Sequence, residues 1–225
     1  MGVLVAGGTG ALGEAVVREL LESGYEVTAT WIVEGERERV ESELGDRAQL
    51  VRADLTDPDD AVAAVGAVDR LEAVVDLVGG FTAGPKVHEA DLADLDRMLT
   101  LNVRTAYLLA RAAMPRLVEG GGGAFVAVSA RTAVKPFAGG AAYAMSKAAV
   151  LTLVKALDVE YKADGVRANA IMPSVIDTPA NREATPDADF SKWPKPEEIA
   201  KVIRHLVSDD SKPTSGAGVP VYGRA

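Results

Sequence analysis

The chain has 225 residues, 48% hydrophobic and 25% charged, a globular balance that fits one α/β domain over 1–225. Its net charge of −9 argues against nucleic acid and anionic membrane as main partners, since both select basic surfaces. With no Cys and only His88 and His205, far apart, neither a disulfide framework nor a metal site is expected.

Short apolar runs alternate with amphipathic stretches. A strand over 3–6 leads into a helix over 12–23, whose apolar positions Leu12, Val16, Val17, Leu20 and Leu21 recur at helical spacing. A second strand is predicted over 26–32, a charged helix over 34–44 and a third strand over 49–52. Asp57 caps the next helix, with Pro58 at its first position. A fourth strand over 73–77 is followed by one long or two short helices within 91–118, a fifth strand over 124–129 and a long helix over 141–163. A strand over 167–172 and a helix over 196–207 complete the alternation. A last strand over 219–222 contains Pro220, which cannot donate a ladder bond and so belongs at an edge. Strands separated by helices predict a doubly wound, mostly parallel seven-stranded sheet of Rossmann type with helices on both faces. The stretch 174–195 lacks periodicity and is expected to be an irregular substrate loop or lid. No apolar run approaches the about 20 residues that cross a membrane. The first strand starts at Gly2, leaving no room for a signal peptide, so a cytoplasmic protein is expected.

Ala6-Gly7-Gly8-Thr9-Gly10-Ala11-Leu12-Gly13 follows a strand and opens a helix. Glycines there permit a sharp turn and close approach of backbone to a pyrophosphate, which the helix N-terminus then attracts with unpaired N–H groups. A dinucleotide site is therefore expected. The second strand ends Thr30-Trp31-Ile32, with neither an acid for the ribose hydroxyl of NAD nor an Arg for the phosphate of NADP, while Glu34 and Arg37 lie on the following helix; NAD and NADP both stay open. Asp54 stands just past the third strand, placed either to accept from an adenine amino group or to cap a turn.

Tyr143 and Lys147 are four residues apart on one helix face. A cation beside a phenol favours the phenolate and lowers a pKa that is ordinarily near 10. Together with the glycine turn, this pair makes the chain resemble the short-chain dehydrogenases/reductases over essentially its whole length. Gly7-x-x-x-Ala11-x-Gly13 looks like their cofactor turn, with Ala11 at the usual middle glycine. Asp54-Leu55 resembles their adenine-contacting pair, and Asp76-Leu77-Val78-Gly79 their fourth-strand motif. Pro173-Ser174-Val175-Ile176-Asp177-Thr178-Pro179 is similar to the loop along the nicotinamide. The resemblance implies that Tyr143 donates a proton to a carbonyl oxygen as hydride arrives, that Lys147 lowers the Tyr pKa and binds the nicotinamide ribose, and that Asn102 holds a water in the proton relay. It also implies a homodimer or homotetramer built on the helices within 91–118 and 141–163.

The family's substrate-orienting Ser falls thirteen positions before the Tyr, which here is Ala130, with Ser129 one residue earlier. Either a one-residue insertion brings Ser129 into place or the site lacks that hydroxyl. Ala130, the turn Gly7-Gly8-x-Gly10-Ala11-Leu12-Gly13, Gly79-Gly80, Asp177-Thr178-Pro179-x-Asn181-Arg182 and Pro186-x-Ala188-Asp189-Phe190-Ser191-x-Trp193 resemble the quinoid dihydropteridine reductase subgroup. Phe190 and Trp193 either stack on a flat substrate or anchor the loop, and Asn181 and Arg182 are expected to cap and pair within it. The resemblance implies an NAD(P)H-dependent reductase of a small carbonyl or quinonoid imine. The alternatives are a ketone or 3-oxoacyl reductase using Ser129, and a dinucleotide-binding redox sensor without turnover.

Overall fold

The computed structural model describes residues 1–224. The strands are β1 (Gly2–Ala6), β2 (Glu26–Trp31), β3 (Ala48–Arg52), β4 (Leu71–Asp76), β5 (Gly123–Val128), β6 (Val166–Pro173) and β7 (Gly218–Val221). The helices are α1 (Ala11–Glu22), α2 (Glu34–Leu44), α3 (Pro58–Gly66), α4 (Leu92–Met98), α5 (Thr105–Glu119), α6 (Ala141–Tyr161), α7 (Pro179–Ala184) and α8 (Pro196–Val207). The strands form one seven-stranded sheet in the order β3-β2-β1-β4-β5-β6-β7, every neighbouring pair parallel. The chain's direction across the sheet reverses at β1, which lies between β2 and β4, and ligands of open α/β sheets bind at such a switch point, outside the carboxyl ends of the strands.

Alternation along the central strands divides the core in two. Val3 and Val5 of β1, Ala73 and Val75 of β4, and Ala124 and Val126 of β5 meet α1 and α8 through Val16, Val17, Leu20, Ile199 and Ile203. Leu4 and Ala6, Val74, and Phe125 and Ala127 face the opposite layer, where α3, α5 and α6 bring Ala64, Leu109, Met114, Leu117, Val150 and Val154. This is the period of two expected of strands covered on both faces. Arg167 in β6 ties the sheet to the end of α8, donating to the carbonyls of Leu206 at 2.8 Å and Ser208 at 3.1 Å and to the Ser211 hydroxyl at 2.6 Å. The carbonyls at the end of α8 thus find a cation, the favoured charge at a helix C-terminus.

Asp57 caps α3, its side chain accepting from the Asp59 N–H, with Pro58 at the first position. β7 is an edge strand, and Pro220 sits there opposite Met172. One open alternative is decided and one expectation changes. The stretch 91–118 holds two α-helices joined without a break by a π-helical turn, Leu99–Arg104. The stretch 174–195 is not irregular throughout: Thr178 caps α7, accepting from the Asn181 N–H with Pro179 at the first position, and Phe190–Lys192 forms a 3-10 turn. Local capping supplied the order that apolar periodicity did not show.

Ile203 is fully buried between α8 and the sheet. Ile203→Ala should lower unfolding free energy by about 2–5 kcal/mol, the cost of a large-to-small change in a packed core. Urea denaturation followed by circular dichroism checks it; a loss under about 1 kcal/mol would show that this layer can collapse around the gap.

Candidate active site

The glycine turn joins β1 to α1 at the switch point. Gly7 has φ +73°, and its N–H donates to the Thr30 hydroxyl at 2.9 Å, while the Gly8 N–H donates to the Thr30 carbonyl at 3.0 Å. A Cβ on Gly13 would lie 2.2 Å from the Gly7 carbonyl oxygen, and one on Gly8 would lie 2.6 Å from the Ala29 methyl, so side chains are excluded at both. A Cβ on Gly10 would meet nothing nearer than the Gly7 carbonyl oxygen at 3.8 Å, and Ala11 beside it is exposed, so the turn has room for an alanine there. Gly10 caps α1 without a side-chain bond, so the first N–H groups of α1 at Ala11, Leu12 and Gly13 stay open to an anion. This cradle, which side chains would fill, fits a dinucleotide pyrophosphate. Thr9 is buried, its hydroxyl donating to Glu36 at 3.2 Å and its carbonyl accepting from Arg39 at 2.8 Å.

Beside the turn, Arg37 lies 5.5 Å over the Trp31 ring at the end of β2 and pairs with both Glu34 and Glu41. Asp54 uses Oδ1 to accept from the Thr56 hydroxyl at 2.7 Å and the Thr56 N–H at 3.0 Å, and these bonds hold its carboxyl below the usual range. Leu55 is buried in the core, leaving only its backbone for a ligand. Val78 packs against Gly7, its methyl 3.2 Å from where a Cβ there would lie.

The chemical end lies two strands along. Asn102 sits in the π-helical turn, fully buried. Its Nδ2 donates to the Gly80 carbonyl at 3.1 Å and the Ser146 hydroxyl at 2.9 Å, while its Oδ1 accepts from the Gly80 N–H at 2.8 Å. A Cβ on Gly79 would lie 2.5 Å from Asn102 Oδ1 and 3.0 Å from Lys147 Nζ, so a glycine there lets the loop after β4 pass between them. Lys147 donates from Nζ to the Val128 carbonyl at 2.9 Å and stands 6.0 Å from the centre of the Tyr143 ring. Burial pushes the Lys147 ammonium down to about 8, against the opposing pull of the Asp76 charge. Burial also pushes Asp76 up to about 6, although its Oδ1 accepts from the Val78 N–H at 3.1 Å. The Tyr143 hydroxyl is pushed up to about 12 by burial. The expectation of a lowered phenol is thus not met in the free protein: Lys147 stands 6.0 Å from the ring centre, and burial disfavours the phenolate.

Ser129 stays in register. Its N–H donates to the Ile171 carbonyl at 2.9 Å, continuing the β5–β6 ladder without a bulge, and its hydroxyl donates to the Lys147 carbonyl at 2.7 Å. The proton that would orient a substrate is thus given to the α6 backbone. Ala130 is buried and extended. Thr132, two residues on, has a buried hydroxyl without a partner among the described residues.

The loop after β6 packs on itself. Pro173 ends the strand, Val175 is exposed, Ile176 packs on the core, and Thr178 caps α7. Asn181 donates to the Ile176 carbonyl at 2.8 Å, Arg182 grips Asp177 with two bonds of 2.6 and 2.8 Å, and its guanidinium lies 4.9 Å over the Phe190 ring. Phe190 and Trp193 pair at 5.0 Å, an anchored arrangement. A cleft of about 1060 Å³ opens between this loop and α1, lined by Ala11, Glu14, Asp177, Thr178 and Arg182. Another groove, about 720 Å³, lies at the opposite end of the sheet around Gly121, Gly122 and Gly165, away from Tyr143.

The sequence reading passed over Ser146, Thr132, Phe81 and Phe137. Ser146 bridges Asn102 to the Tyr143 carbonyl, to which its hydroxyl donates at 2.8 Å. Its place three residues after the tyrosine was the available signal. Phe81 meets Tyr143 edge-on at 5.0 Å and faces Phe137 at 6.4 Å, a contact between loops that no local pattern reveals.

Asp76 binds its proton more tightly folded than unfolded, so stability falls as pH rises from the ordinary Asp value through about 6. Lys147 acts in the opposite sense: the folded state loses its proton first, and stability rises as pH climbs from about 8 toward the ordinary Lys value. Asp76→Asn should remove the first of these slopes, so that the variant gains stability relative to wild type between about pH 4 and 6. Urea midpoints across that range check it, and parallel curves for the two proteins would show that Asp76 is not the group responsible.

Residues 2–189 match the family described as short chain dehydrogenase. The chain is 30% identical over 240 residues to 2,5-dichloro-2,5-cyclohexadiene-1,4-diol dehydrogenase LinX of Sphingobium indicum, covering 98% of this chain and 94% of that protein. It is 31% identical over 234 residues to cis-4-hydroxycyclohexanecarboxylate dehydrogenase of Sinomonas cyclohexanicum, with the same coverage of 98% and 94%. Among solved structures, a short-chain type dehydrogenase/reductase from Mycobacterium ulcerans superposes with a TM-score of 0.93 at 27% identity, over 99% of this chain and 88% of that one. The chain belongs to the short-chain dehydrogenase/reductase family and is an NAD(P)-dependent oxidoreductase.

Proposed function

We propose that this enzyme interconverts a small carbonyl or quinonoid compound and its reduced form, with Tyr143 as proton donor in the reductive direction. The observation that carries this reading is the arrangement of Tyr143 and Lys147 on one face of α6, with Gly79 threaded between Lys147 and Asn102 and the glycine cradle at the adjacent strand end. The bound nicotinamide supplies hydride. When a dinucleotide binds, Gly7, Thr9, Gly10, Ala11, Leu12 and Gly13 would hold its pyrophosphate, Asp54 and Leu55 would meet its adenine, and Val78, Gly79, Pro173, Val175, Ile176 and Thr178 would line its nicotinamide half.

A phenol pushed up to about 12 keeps its proton at neutral pH, as a donor must until negative charge develops on the substrate oxygen. Lys147 then provides the cation that stabilises the phenolate left behind, and Asn102 holds the loop at Gly80 and the relay path beside it. The Ser129 hydroxyl, given to the Lys147 carbonyl, supports the reading without a serine at the substrate oxygen. Relatives named as dehydrogenases of hydroxyl compounds support the same chemistry.

Titrating NADH and NADPH by fluorescence should show saturable binding of at least one, and binding of neither would overturn the reading. With a panel of ketones, quinones and a quinonoid dihydropterin, Tyr143→Phe should lose about 100-fold or more in kcat/KM on any compound turned over, while Ser129→Ala stays within about 5-fold. Equal activity of Tyr143→Phe and wild type would remove Tyr143 from the mechanism.

We also infer a homodimer or homotetramer, supported by Tyr107 on α5 and Met145 on α6, each 58% exposed. Apolar side chains left outward on two helices of one layer suit a second copy of the same surface. Sedimentation velocity should give a dimer or tetramer, and the double change Tyr107→Glu with Met145→Glu should shift it to smaller species; a wild-type monomer at micromolar concentration would contradict this.

A further inference from the structure

Phe81 and Phe137 remain 60% and 43% exposed, yet both are held in place. The loops that carry them are joined by a hydrogen bond from the Gly84 N–H to the Gly139 carbonyl at 3.0 Å. Gly139 has φ +81°, and a Cβ there would lie 2.1 Å from the Gly84 carbonyl oxygen, so this close crossing requires glycine. Gly140 leaves room for the Phe137 ring, whose nearest carbon is 2.6 Å from where a Cβ would stand. Gly80, just before Phe81, is pressed against Leu101, with only 2.9 Å between its Cβ position and the leucine methyl. Backbone contacts therefore set both rings at the start of α6, directly beside the tyrosine.

Their mutual geometry makes one continuous surface. Phe81 presents its ring at 73° to Tyr143 with centroids 5.0 Å apart, and lies within 24° of parallel to Phe137 at 6.4 Å. Neither phenylalanine can hydrogen-bond a substrate. What an aromatic face offers is dispersion and quadrupole attraction to a flat, apolar body, and that attraction is directional. A ring also loses less conformational freedom on binding than an open chain with the same number of carbons.

We propose that Phe81 and Phe137 form the specificity wall of the Tyr143 site and select a carbonyl carried on a planar or cyclic carbon skeleton over an open-chain carbonyl of equal size. The inference rests on the reading of Tyr143 as proton donor. The skeleton lies against the two rings, and its oxygen points to the Tyr143 hydroxyl. Selection then resides in the ratio of transition-state affinities for ring and chain.

Steady-state reduction of cyclohex-2-enone and 1-indanone, each compared with the open-chain methyl ketone of the same carbon number, tests it with the better of the two cofactors. Wild type should favour the ring in kcat/KM by about 10-fold or more, and Phe81→Ala should cut that ratio by roughly 5- to 10-fold, the scale of a lost aromatic contact. Phe137→Ala should cut it less, and Phe81→Tyr should retain it. Any disturbance of Tyr143 through its contact with Phe81 acts on ring and chain alike and leaves the ratio unmoved, so a merely structural role gives no signal. A wild-type ratio near one, or a ratio that both alanine variants leave unchanged, overturns the inference while Tyr143-dependent reduction of the open-chain ketones keeps the proton-donor reading intact. Absence of turnover with every ketone, with cofactor bound, overturns the inference, and the proton-donor reading falls with it only when the quinones and the dihydropterin are also inert.

Discussion

The upper end of this sheet depends on backbone passing backbone at distances that exclude a Cβ. Gly13 lies against the Gly7 carbonyl where α1 leaves β1, and Gly79 passes between Asn102 and Lys147 where the chain leaves β4. The first contact brings the N-terminus of α1 close enough to the strand end to receive a phosphate, with its positive dipole end and free N–H groups turned the same way. The second brings the amide, the ammonium and, through Ser146, the tyrosine helix into one seam. Because β1 and β4 are neighbours at the switch point, the two seams are adjacent. A parallel sheet in this order therefore does more than support these seams: it sets the spacing between the glycine cradle and the Tyr143–Lys147 end.

Charge is handled at the chemical end by burial more than by pairing. Asp76 and Lys147 are both enclosed, and each is displaced toward its neutral form, Asp76 to about 6 and Lys147 to about 8. Neither reaches the other for a salt bridge; Asp76 accepts from the Val78 N–H and Lys147 donates to the Val128 carbonyl. A lysine so placed is held by strand geometry, and its charge is exerted across a space of low polarity, where it acts strongly on any negative charge that develops on Tyr143. The same enclosure raises Tyr143, so the phenol is protonated at neutral pH in the free protein. Folding stability is given up in this arrangement, as is common where burial serves a site.

Much of the site could be seen in the residues because it is local. A glycine turn between strand and helix, and a tyrosine and lysine one turn apart, are defined by spacing along a few residues, and spacing is what a sequence displays. The switch from Ser to Ala130 was equally visible. The fate of Ser129 was not, since whether its hydroxyl faces a ligand or the α6 backbone depends on the ladder register between β5 and β6. Phe81 and Phe137 are 56 positions apart in the chain and meet only because two loops cross at Gly84 and Gly139. The order within 174–195 was missed for another reason: a single short turn capped by Thr178 buries no apolar stripe, and so leaves no periodic trace.

By itself, then, the amino-acid sequence determined the alternation of strands and helices, the parallel sheet that follows from it, the glycine turn and the Tyr143/Lys147 pair, because each rests on backbone preference or side-chain spacing over short stretches. The tertiary structure alone decided what surrounds them: that Ser129 bonds to a helix carbonyl, that burial raises Tyr143 where an adjacent lysine by itself would lower it, and that two phenylalanines stand against that tyrosine. These outcomes turn on solvent exclusion and on contacts between distant segments, and neither exists until the chain has folded.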